Sequence, residues 1–314
     1  MNDIKSILFA LTLCVPCVGA NCASIDSLNN AAGNTDTTVP APVPSSVNAK
    51  PQHSKTVTGK GSANAADFEV FSLNGINYSH SDFEGRTGAA GNVHFDNFAL
   101  GAKLQRTSAT LLVGGSAILR DGSVYHGGLL AGGTVSALRV DMGGPAVGHA
   151  QAGTGLAAVA KSLLADSDCL GALPSDADKS WNNGIILAAI PGLARTVIHL
   201  GADELASAYK IVFDVSGGGI LVVDVDGQKA ALENKELDKI GNGGIIINFQ
   251  AATSLVITGV AVPGIVLAPR ADTVFQSGHI DGRLYVGNLR GNGQVNETGT
   301  TSLTYSGCNY TYQP

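Results

Sequence analysis

Two pairs of acidic residues have a spacing that suits carboxylate chemistry. Asp82 and Glu84 form one pair, and Asp224 and Asp226 form the other. Residues i and i+2 of a strand point to the same side, so each pair is able to serve as general acid and base or to share a calcium ion. Solvated charges beside turns are the simpler interpretation, and an ion pair with Arg86 would explain the first pair.

The histidines do not indicate a metal site. Seven are scattered along the chain, at His53, His80, His94, His126, His149, His199 and His279. They lack a ligand spacing such as H-x-x-x-H, and no G-x-S-x-G nucleophile motif occurs. We therefore assign no catalytic residue, no cofactor-binding residue and no metal ligand, and we expect a protein that is not an enzyme and needs no cofactor.

A third candidate is the glycine-rich stretch EGRTGAAGNV, residues 84–93, which contains Gly85, Gly88 and Gly91. Backbone N–H groups of such a loop can cradle a phosphate, but a phosphate loop opens a helix and usually brings a Lys followed by Ser or Thr. Here another strand-like piece follows, and similar runs recur in VGGSA, HGGLLAGG and VGNLRGNG. We interpret the three glycines as turn residues at corners between short strands, where Gly tolerates positive φ and close backbone approach.

Composition excludes some classes of partner. The net charge is −6, charged residues make up 14% of the 314 residues, and no block of like charges occurs. A nucleic-acid partner is therefore not expected. The stretch from Ile240 to Pro269 has no charged residue, but polar residues and Pro263 interrupt it and β-branched residues favour strands. We therefore predict strands there, and no transmembrane segment in the mature chain.

The N-terminal region has the pattern of an exported protein. Residues 1–20 resemble a signal peptide, with Lys5, an apolar run and small residues before the cleavage point. Residues 21–62 are rich in Pro, Ser and Thr and predict a disordered linker. Residues 63–314 form the predicted domain. We expect a secreted protein, with association to the cell surface as an alternative.

Export places the cysteines of the mature chain in an oxidising compartment. They are Cys22, Cys169 and Cys308. A Cys169–Cys308 disulfide and three free thiols both fit the sequence, because sequence alone does not fix the separation of two cysteines.

Short strand-like pieces separated by Gly, Asn and Asp dominate the sequence from Ala65 onward. The two halves are loosely self-similar, which predicts an all-β fold, a β-solenoid over about residues 63–310. One amphipathic helix is predicted at 153–165, with Asp166 and Ser167 marking its end. After the helix we predict a pair of strands, YKIVFDV and ILVVDVDG, joined by the glycine turn SGGG.

Two stretches carry a family resemblance, ADFEVFSLNGINYSHSDFEGRTGAAGNV (66–93) and INFQAATSLVITGVAVPGIVLAPRADTVFQSGHIDGRLYVGNLRGNGQVN (247–296). They resemble the opening and closing parts of the choice-of-anchor A domain. The matching residues are Phe68, Val70, Phe71, Ser81, Asp82, Glu84, Gly85, Arg86, Ala89, Ala90, Gly91, Gly264, Leu267, Ala268, Pro269, Ala271, Gly278, Ile280, Gly282 and Gly287. The resemblance implies an exported adhesive domain, with a discontinuous β-helix and one long α-helix packed alongside, a layout similar to the ice-binding β-solenoids. The C-terminal segment SLTYSGCNYTYQP departs from the family because it contains no sorting motif and no hydrophobic tail.

Three functions are compatible with the sequence. The first is a secreted or cell-surface, non-enzymatic adhesive or structural module that binds a glycan, matrix or cell-wall surface. The second is ice binding on the same scaffold, although Thr107, Thr110 and Thr134 form no T-x-T ladder. The third is a polysaccharide-active β-helix enzyme, which the single Trp181 and few other aromatics support poorly. Candidate glycosylation sites are Asn77, Asn296 and Asn309.

Overall fold

The computed structural model describes residues 64–105, 109–148, 153–298, 302–306 and 309–313. The predicted signal peptide and linker, residues 1–62, lie outside them. After a short 3-10 helix, Ala65–Asp67, the strands of the first half are β1 (Val70–Ser72), β2 (Ile76–Phe83), β3 (Thr87–Ala89), β4 (Val93–Leu100), β5 (Leu111–Val113), β6 (Ala117–Val124), β7 (Leu129–Ala131), β8 (Val135–Met142) and β9 (Ala146–Val147). The long helix α1 (Gly153–Gly171) follows.

The second half is also mainly β. Its elements are β10 (Ser180–Trp181), β11 (Ile185–Ala188), β12 (Arg195–Gly201), the short helix α2 (Ala202–Ser207), β13 (Lys210–Asp214), β14 (Ile220–Asp226), β15 (Lys229–Glu233), β16 (Glu236–Ile240), β17 (Gly244–Asn248), β18 (Ser254–Gly291) and β19 (Gln294–Asn296). A two-stranded antiparallel hairpin, β20 (Ser302–Ser306) and β21 (Asn309–Gln313), follows.

The strands stack as coils of a nearly closed, parallel solenoid-like sheet. Its order is β8-β6-β4-β2-β19-β18-β1-β3-β5-β7-β9, and β17, β14 and β12 extend it beyond β18. The first coil, β1 and β2, lies inside the stack because its neighbours come from both halves: β3 and β4 on one side, β18 on the other. The prediction of a mostly β, solenoid-like fold with one long helix is confirmed.

Apolar residues form two separate cores. The larger core fills the inside of the coils with the inward residues of each strand, such as Val70, Leu111, Leu129 and Leu284. The second core lies between α1 and the outer side of the coils. There Leu156, Val159, Leu163 and Leu170 of the helix, spaced at helical periodicity, pack on Phe68, Phe71, Val222, Ile246, Leu267 and Tyr285. Burying the four helix side chains contributes about 1.5–3 kcal/mol each.

Helix α1 extends beyond its predicted end. Asp166 and Ser167 were expected to stop it, because both residue types favour caps and turns, but the helix continues to Gly171. Both side chains are buried, and the Ser167 hydroxyl donates a hydrogen bond of 2.7 Å to Asn248 Oδ1. Tertiary packing on the solenoid therefore overrides the local preference. Within the described residues, no helix is both long and apolar enough to cross a membrane.

The two strands predicted within residues 209–227 are present as β13 and β14, but the prediction that they pair with each other is wrong. β13 pairs with β11 and β16 in a separate four-stranded sheet, whereas β14 pairs with β12 and β17 in the main sheet. The SGGG segment is the turn between these two sheets and does not close a hairpin. Gly218 and Gly219 adopt φ of 76° and 75°, a left-handed conformation that glycine adopts without steric cost.

A column of left-handed residues bends the long strands. His80, Asn97, Asp121 and Arg139 each have φ between 49° and 54° in β2, β4, β6 and β8. The paired register skips these positions, so each is a local interruption stacked on the next. Gly85, Gly88 and Gly91 have no such φ. Among the non-glycine residues with positive φ, most are Asn, Asp or His, which tolerate this conformation better than other residues.

Candidate functional site

Helix α1 covers one outer side of the solenoid. The register places Tyr285, Phe71, Gly88 and Leu112 in one outward column, and the aromatic rings of this column pack against α1 in the second core. This side is therefore buried by the protein itself and is not available to a partner.

A second outer side faces solvent. It is formed by the outward residues of the first segments of β2, β4, β6 and β8 together with the end of β18, and we call it the uncovered sheet face. Its residues are Asn77, Ser79, His94, Asp96, Ile118, Arg120, Ser136, Leu138 and Arg290. Most of these side chains are exposed, and Ser79, His94 and Asp96 are half-buried. Five strands at a spacing of about 4.8 Å make it roughly 19 Å wide.

The chemistry of the uncovered sheet face is mixed. One column runs Arg290, Asn77, His94, Ile118, Ser136. Ile118 is 43% exposed although it is apolar. The column thus runs through a cation, an amide, an imidazole whose Nε2 is buried, an apolar side chain and a hydroxyl. No residue type repeats from coil to coil.

Two shallow depressions lie on this face. They have volumes of about 310 and 510 Å³, and both are lined by Asn77 and Arg290. Val274 and Gln276 of β18 complete the first, and Asp272 and the Asn288 amide the second. The Arg290 guanidinium makes no ion pair with any residue that the structure describes, so its positive charge is available at the surface.

The first predicted acid pair is engaged in structural contacts. Asp82 Oδ1 accepts a hydrogen bond of 2.6 Å from the Gln294 amide. Glu84 pairs with Lys103 at 2.8 Å, and its Oε2 also accepts the Glu297 backbone N–H. The predicted ion partner of this pair was Arg86, whose Nε donates to the Ala109 carbonyl. The two carboxylates therefore contact different partners, and each links its own coil to another part of the chain.

The second predicted acid pair converges on a histidine. Asp224 and Asp226 lie on the same side of β14, as their spacing predicts, and His199 of β12 is the register partner of Asp224. His199 Nδ1 lies 3.6 Å from Asp224 Oδ2 and 3.8 Å from Asp226 Oδ2. The three ligand atoms lie within 4.8 Å of one another, so this cluster is able to hold a metal ion. Burial raises the pKa of the Asp224 carboxyl, which is 1% exposed.

The three predicted turn glycines are needed for close packing. Gly88 lies inside β3, and a Cβ there would sit 2.5 Å from Phe68 Cε1 and 2.8 Å from Phe71 Cδ2. A Cβ at Gly91 would collide with the backbone carbonyl of Asn74. Since real Cβ contacts essentially never fall below 3.0 Å, any side chain at either position displaces its neighbours.

Gly85 is coupled to a buried carboxyl group. Its N–H donates a hydrogen bond of 2.6 Å to Glu69 Oε2, and a Cβ at Gly85 would sit 2.8 Å from Glu69 Cβ. Glu69 is 2% exposed, and burial raises its pKa to about 9, with the nearby Glu84 and Glu297 acting in the same direction. Sequence reasoning missed this residue, because a charged side chain next to a strand is normally a surface residue.

The remaining predicted sites are only partly described. Asn77 is exposed on the uncovered sheet face, whereas Asn296 is half-buried and donates a hydrogen bond to Asp281; the side chain of Asn309 lies outside the described residues. Cys169 is disulfide-bonded. Cys308 lies outside the described residues, and so does every other cysteine, so the Cys169–Cys308 pairing stays a prediction.

Comparisons with known proteins identify the family. Two solved structures are similar to this chain. The first is an ice-binding protein from the Antarctic ascomycete Antarctomyces psychrotrophicus, with 12% sequence identity, coverage of 77% of this chain and 98% of that chain, and a TM-score of 0.32. The second is an ice-binding protein from an Antarctic bacterium, Flavobacteriaceae, with 9% sequence identity, coverage of 74% of this chain and 96% of that chain, and a TM-score of 0.31. No curated protein matches the sequence. The profile of the family described as Putative Ice-binding-like adhesive domain matches residues 61–297, well over half of the chain, and the protein therefore belongs to this ice-binding-like adhesive family.

Proposed function

We propose that this protein is a secreted, non-enzymatic adhesive module of the choice-of-anchor A type that binds an extracellular glycan, matrix or cell-wall surface. The observation that carries this proposal is the uncovered sheet face. Helix α1 covers the apolar outer side of the solenoid, whereas the uncovered sheet face leaves Arg290, Ile118 and Leu138 exposed. Membership of an adhesive family and the signal-peptide pattern of residues 1–20 support the same conclusion.

The structure of the face suits binding by area. Its side chains sit on paired strands, so their backbone positions are fixed before a partner arrives and no backbone entropy is lost on binding. The depressions beside Arg290 are shallow, and a single deep pocket is not needed. Because the face is only roughly 19 Å wide, one molecule buries a small area on its partner and binds it weakly. Many copies of the protein presented together would bind far more strongly than one.

Ice binding on the same scaffold is the second candidate. The ice-binding-like family favours it. The residues of the face do not, because ice recognition would call for a regular Thr- or Ala-rich surface. Thr110 is fully buried and donates to the Tyr125 carbonyl, and Thr134 contacts Ser116 at a corner of the coil. A polysaccharide-active enzyme is the third candidate, and the contacts of Asp82 and Glu84 give it no support.

The test uses beads that carry many copies of the mature chain. Binding to cellulose, chitin, peptidoglycan and collagen is measured by bead retention, together with thermal hysteresis and the release of reducing sugar. We expect wild-type beads to be retained on at least one solid surface. On that surface, we expect the retention of the double variant Arg290→Gln/Ile118→Ser to fall at least tenfold. The matched control is Lys161→Gln/Leu193→Ser, in which Lys161 lies on the exposed side of α1 and Leu193 has the same 43% exposure as Ile118.

The outcomes separate the three candidates. Equal retention of both double variants would refute binding through the uncovered sheet face. Thermal hysteresis without retention would favour ice binding. Reducing-sugar release that disappears in Glu84→Gln would establish the enzyme instead, because that variant leaves the face unchanged.

A further inference from the structure

A compact group of polar residues occupies the end of the solenoid where α1 finishes, away from the uncovered sheet face. His199 belongs to β12, which pairs with β14 and forms an edge of the main sheet. Asp224 and Asp226 belong to β14, and Ser167 lies in the last turns of α1. The group therefore joins two coils to the helix that covers them. Nothing in the proposed adhesive function uses it.

The orientation of His199 is fixed by the loop that follows α1. Its Nε2 lies 2.8 Å from the backbone carbonyl oxygen of Leu173. A carbonyl oxygen only accepts, so Nε2 carries the proton of this hydrogen bond. In the neutral imidazole Nδ1 then carries the lone pair, and this nitrogen is the atom that faces the two carboxylates. Donation from the second nitrogen to a backbone carbonyl is the usual arrangement for a metal-bound histidine.

Asp224 is held just as firmly. The Asn248 amide donates one hydrogen bond to Asp224 Oδ1 and another, of 3.0 Å, to the Ser167 carbonyl, while Ser167 Oγ donates to Asn248 Oδ1. All three of these residues are almost completely buried. This network leaves Asp224 Oδ2 directed at His199, and Oδ2 makes no hydrogen bond with any residue that the structure describes. Asp226 is 69% exposed and closes the cluster from the solvent side.

The distances fit an ion between the groups better than direct hydrogen bonds. Nδ1 is 3.6 and 3.8 Å from the two carboxylate oxygens, beyond the 2.7–3.2 Å of a normal N–H···O bond. Around a tetrahedral Zn²⁺ with bonds of about 2.0–2.1 Å, neighbouring ligand atoms are about 3.3 Å apart. The two measured distances exceed this spacing by about 0.3 and 0.5 Å, and the two carboxylate oxygens lie within 4.8 Å of each other, so all three side chains would draw together around a bound ion.

The geometry points to a divalent transition-metal site of the zinc type formed by His199 Nδ1, Asp224 and Asp226. One imidazole nitrogen and two carboxylate oxygens are ligands that Zn²⁺ accepts, and the single nitrogen favours it over Ca²⁺ or Mg²⁺, which prefer oxygen alone. Three protein ligands leave a position open to solvent or to an external donor. A bound metal ion would link β12 to β14, the two strands at this end of the main sheet, beside the end of α1.

The test measures metal binding by the purified full chain after treatment with chelator. Isothermal titration with ZnCl₂, and with CoCl₂ followed by its visible d–d absorption, reports stoichiometry and ligand field. We expect one site in the wild type and at least a tenfold loss of affinity in Asp226→Asn and in His199→Gln. At a free Zn²⁺ concentration 100 times Kd, the midpoint of thermal unfolding should rise by about 5 °C.

The chain supplies its own control. His279 Nε2 lies 3.4 Å from Asp281 Oδ2 on an exposed surface, and the structure describes no third ligand beside them. His279→Gln and Asp281→Asn should bind Zn²⁺ like the wild type. Asp226→Asn is the decisive variant because its exposed side chain is dispensable for folding, which circular dichroism in chelator verifies. Equal Zn²⁺ affinity of Asp226→Asn and wild type, or no binding by the wild type, would overturn the proposal and leave a His–Asp ion pair.

Discussion

Replacing Gly88 by Ala tests why the helix-covered side of the solenoid contains a glycine. Phe68 and Phe71 are fully buried and pack edge to face with ring centroids 5.1 Å apart. A Cβ on Gly88 would lie 2.5 Å from the first ring and 2.8 Å from the second. Both rings are confined by α1 and neither can swing into solvent, so the methyl group must push the rings or the strand apart.

The cost follows from overpacking. An extra carbon in a tightly packed core destabilises by about 1–3 kcal/mol, and the better strand preference of Ala over Gly returns at most about 1 kcal/mol. We expect a net loss of about 2 kcal/mol in the free energy of unfolding from denaturant titration, or about 4–8 °C in the midpoint of thermal unfolding. The control is Gly201→Ala, where the nearest atom to the added Cβ is 3.9 Å away. Because Gly201 is the N-cap of α2 and Ala is a poorer cap than Gly, a loss of up to about 1 kcal/mol is expected from capping alone.

A double-mutant cycle identifies the cause. Phe68→Leu alone should destabilise by removing buried area, but it also makes room beside Gly88. The two changes together should therefore cost less than the sum of the single changes, with a coupling of about 1 kcal/mol or more. Strictly additive effects, or a Gly88→Ala variant as stable as the wild type, would show that the aromatic packing does not require glycine.

Four further predictions follow from the buried polar groups, one corner and the cysteines. Glu69 stays protonated in the folded chain up to a pKa of about 9, whereas the unfolded chain loses that proton near 4.5, so stability should fall between these pH values by up to about 1.4 kcal/mol per pH unit. Burial also raises the pKa of Asp166 to about 6, so Glu69→Gln should remove the slope between about pH 7 and 9 in denaturant titrations and leave a residual slope below about pH 7. Asn248→Leu should cost about 2–4 kcal/mol in the same assay, because it leaves the buried Asp224 without its donor. Gly91→Val should cost more than about 3 kcal/mol, because its side chain meets a backbone carbonyl that cannot rotate away, and normal stability would contradict this. Mass mapping without reduction should find Cys169 linked to Cys308, and free thiols at both would refute the pairing.

Local patterns in the sequence predicted the elements better than their connections. Short strands and glycine-rich corners indicated a solenoid, and the helical spacing of Leu156, Val159 and Leu163 identified α1. Local patterns could not predict that the first coil lies in the middle of the stack, because β1 pairs with β18, more than two hundred residues away in sequence. The separation of β13 from β14 into different sheets depends on the same distant pairings.

The residues that bend the strands were missed for a different reason. Positive φ was anticipated only at glycine corners, yet the column contains His80, Asn97, Asp121 and Arg139. Asn and Asp are the residues that accept this conformation most readily after glycine, so a signal was present. It was hidden because insertions between coils make the sequence spacing of the four positions irregular.

The cluster around His199 shows how far spacing arguments reach. The i, i+2 rule correctly placed Asp224 and Asp226 on one side of a strand. It could not supply the third member, because His199 joins them only through the parallel register of β12 and β14. The burial of Asp224, which makes the cluster chemically unusual, depends on Asn248 of the next coil and Ser167 of the helix. Four separate regions of the chain thus build one site.

The regular backbone and the irregular uncovered sheet face have different physical roles. Parallel pairing fixes the spacing of the coils and makes the face rigid. A lattice partner such as ice would gain from the same donor repeated at every step, whereas the column from Arg290 to Ser136 changes its chemistry at each coil. This column therefore offers no repeat that matches an ice lattice. This difference supports the proposed glycan, matrix or cell-wall partner over ice, with Arg290 proposed as the electrostatic anchor and Ile118 as the apolar contact.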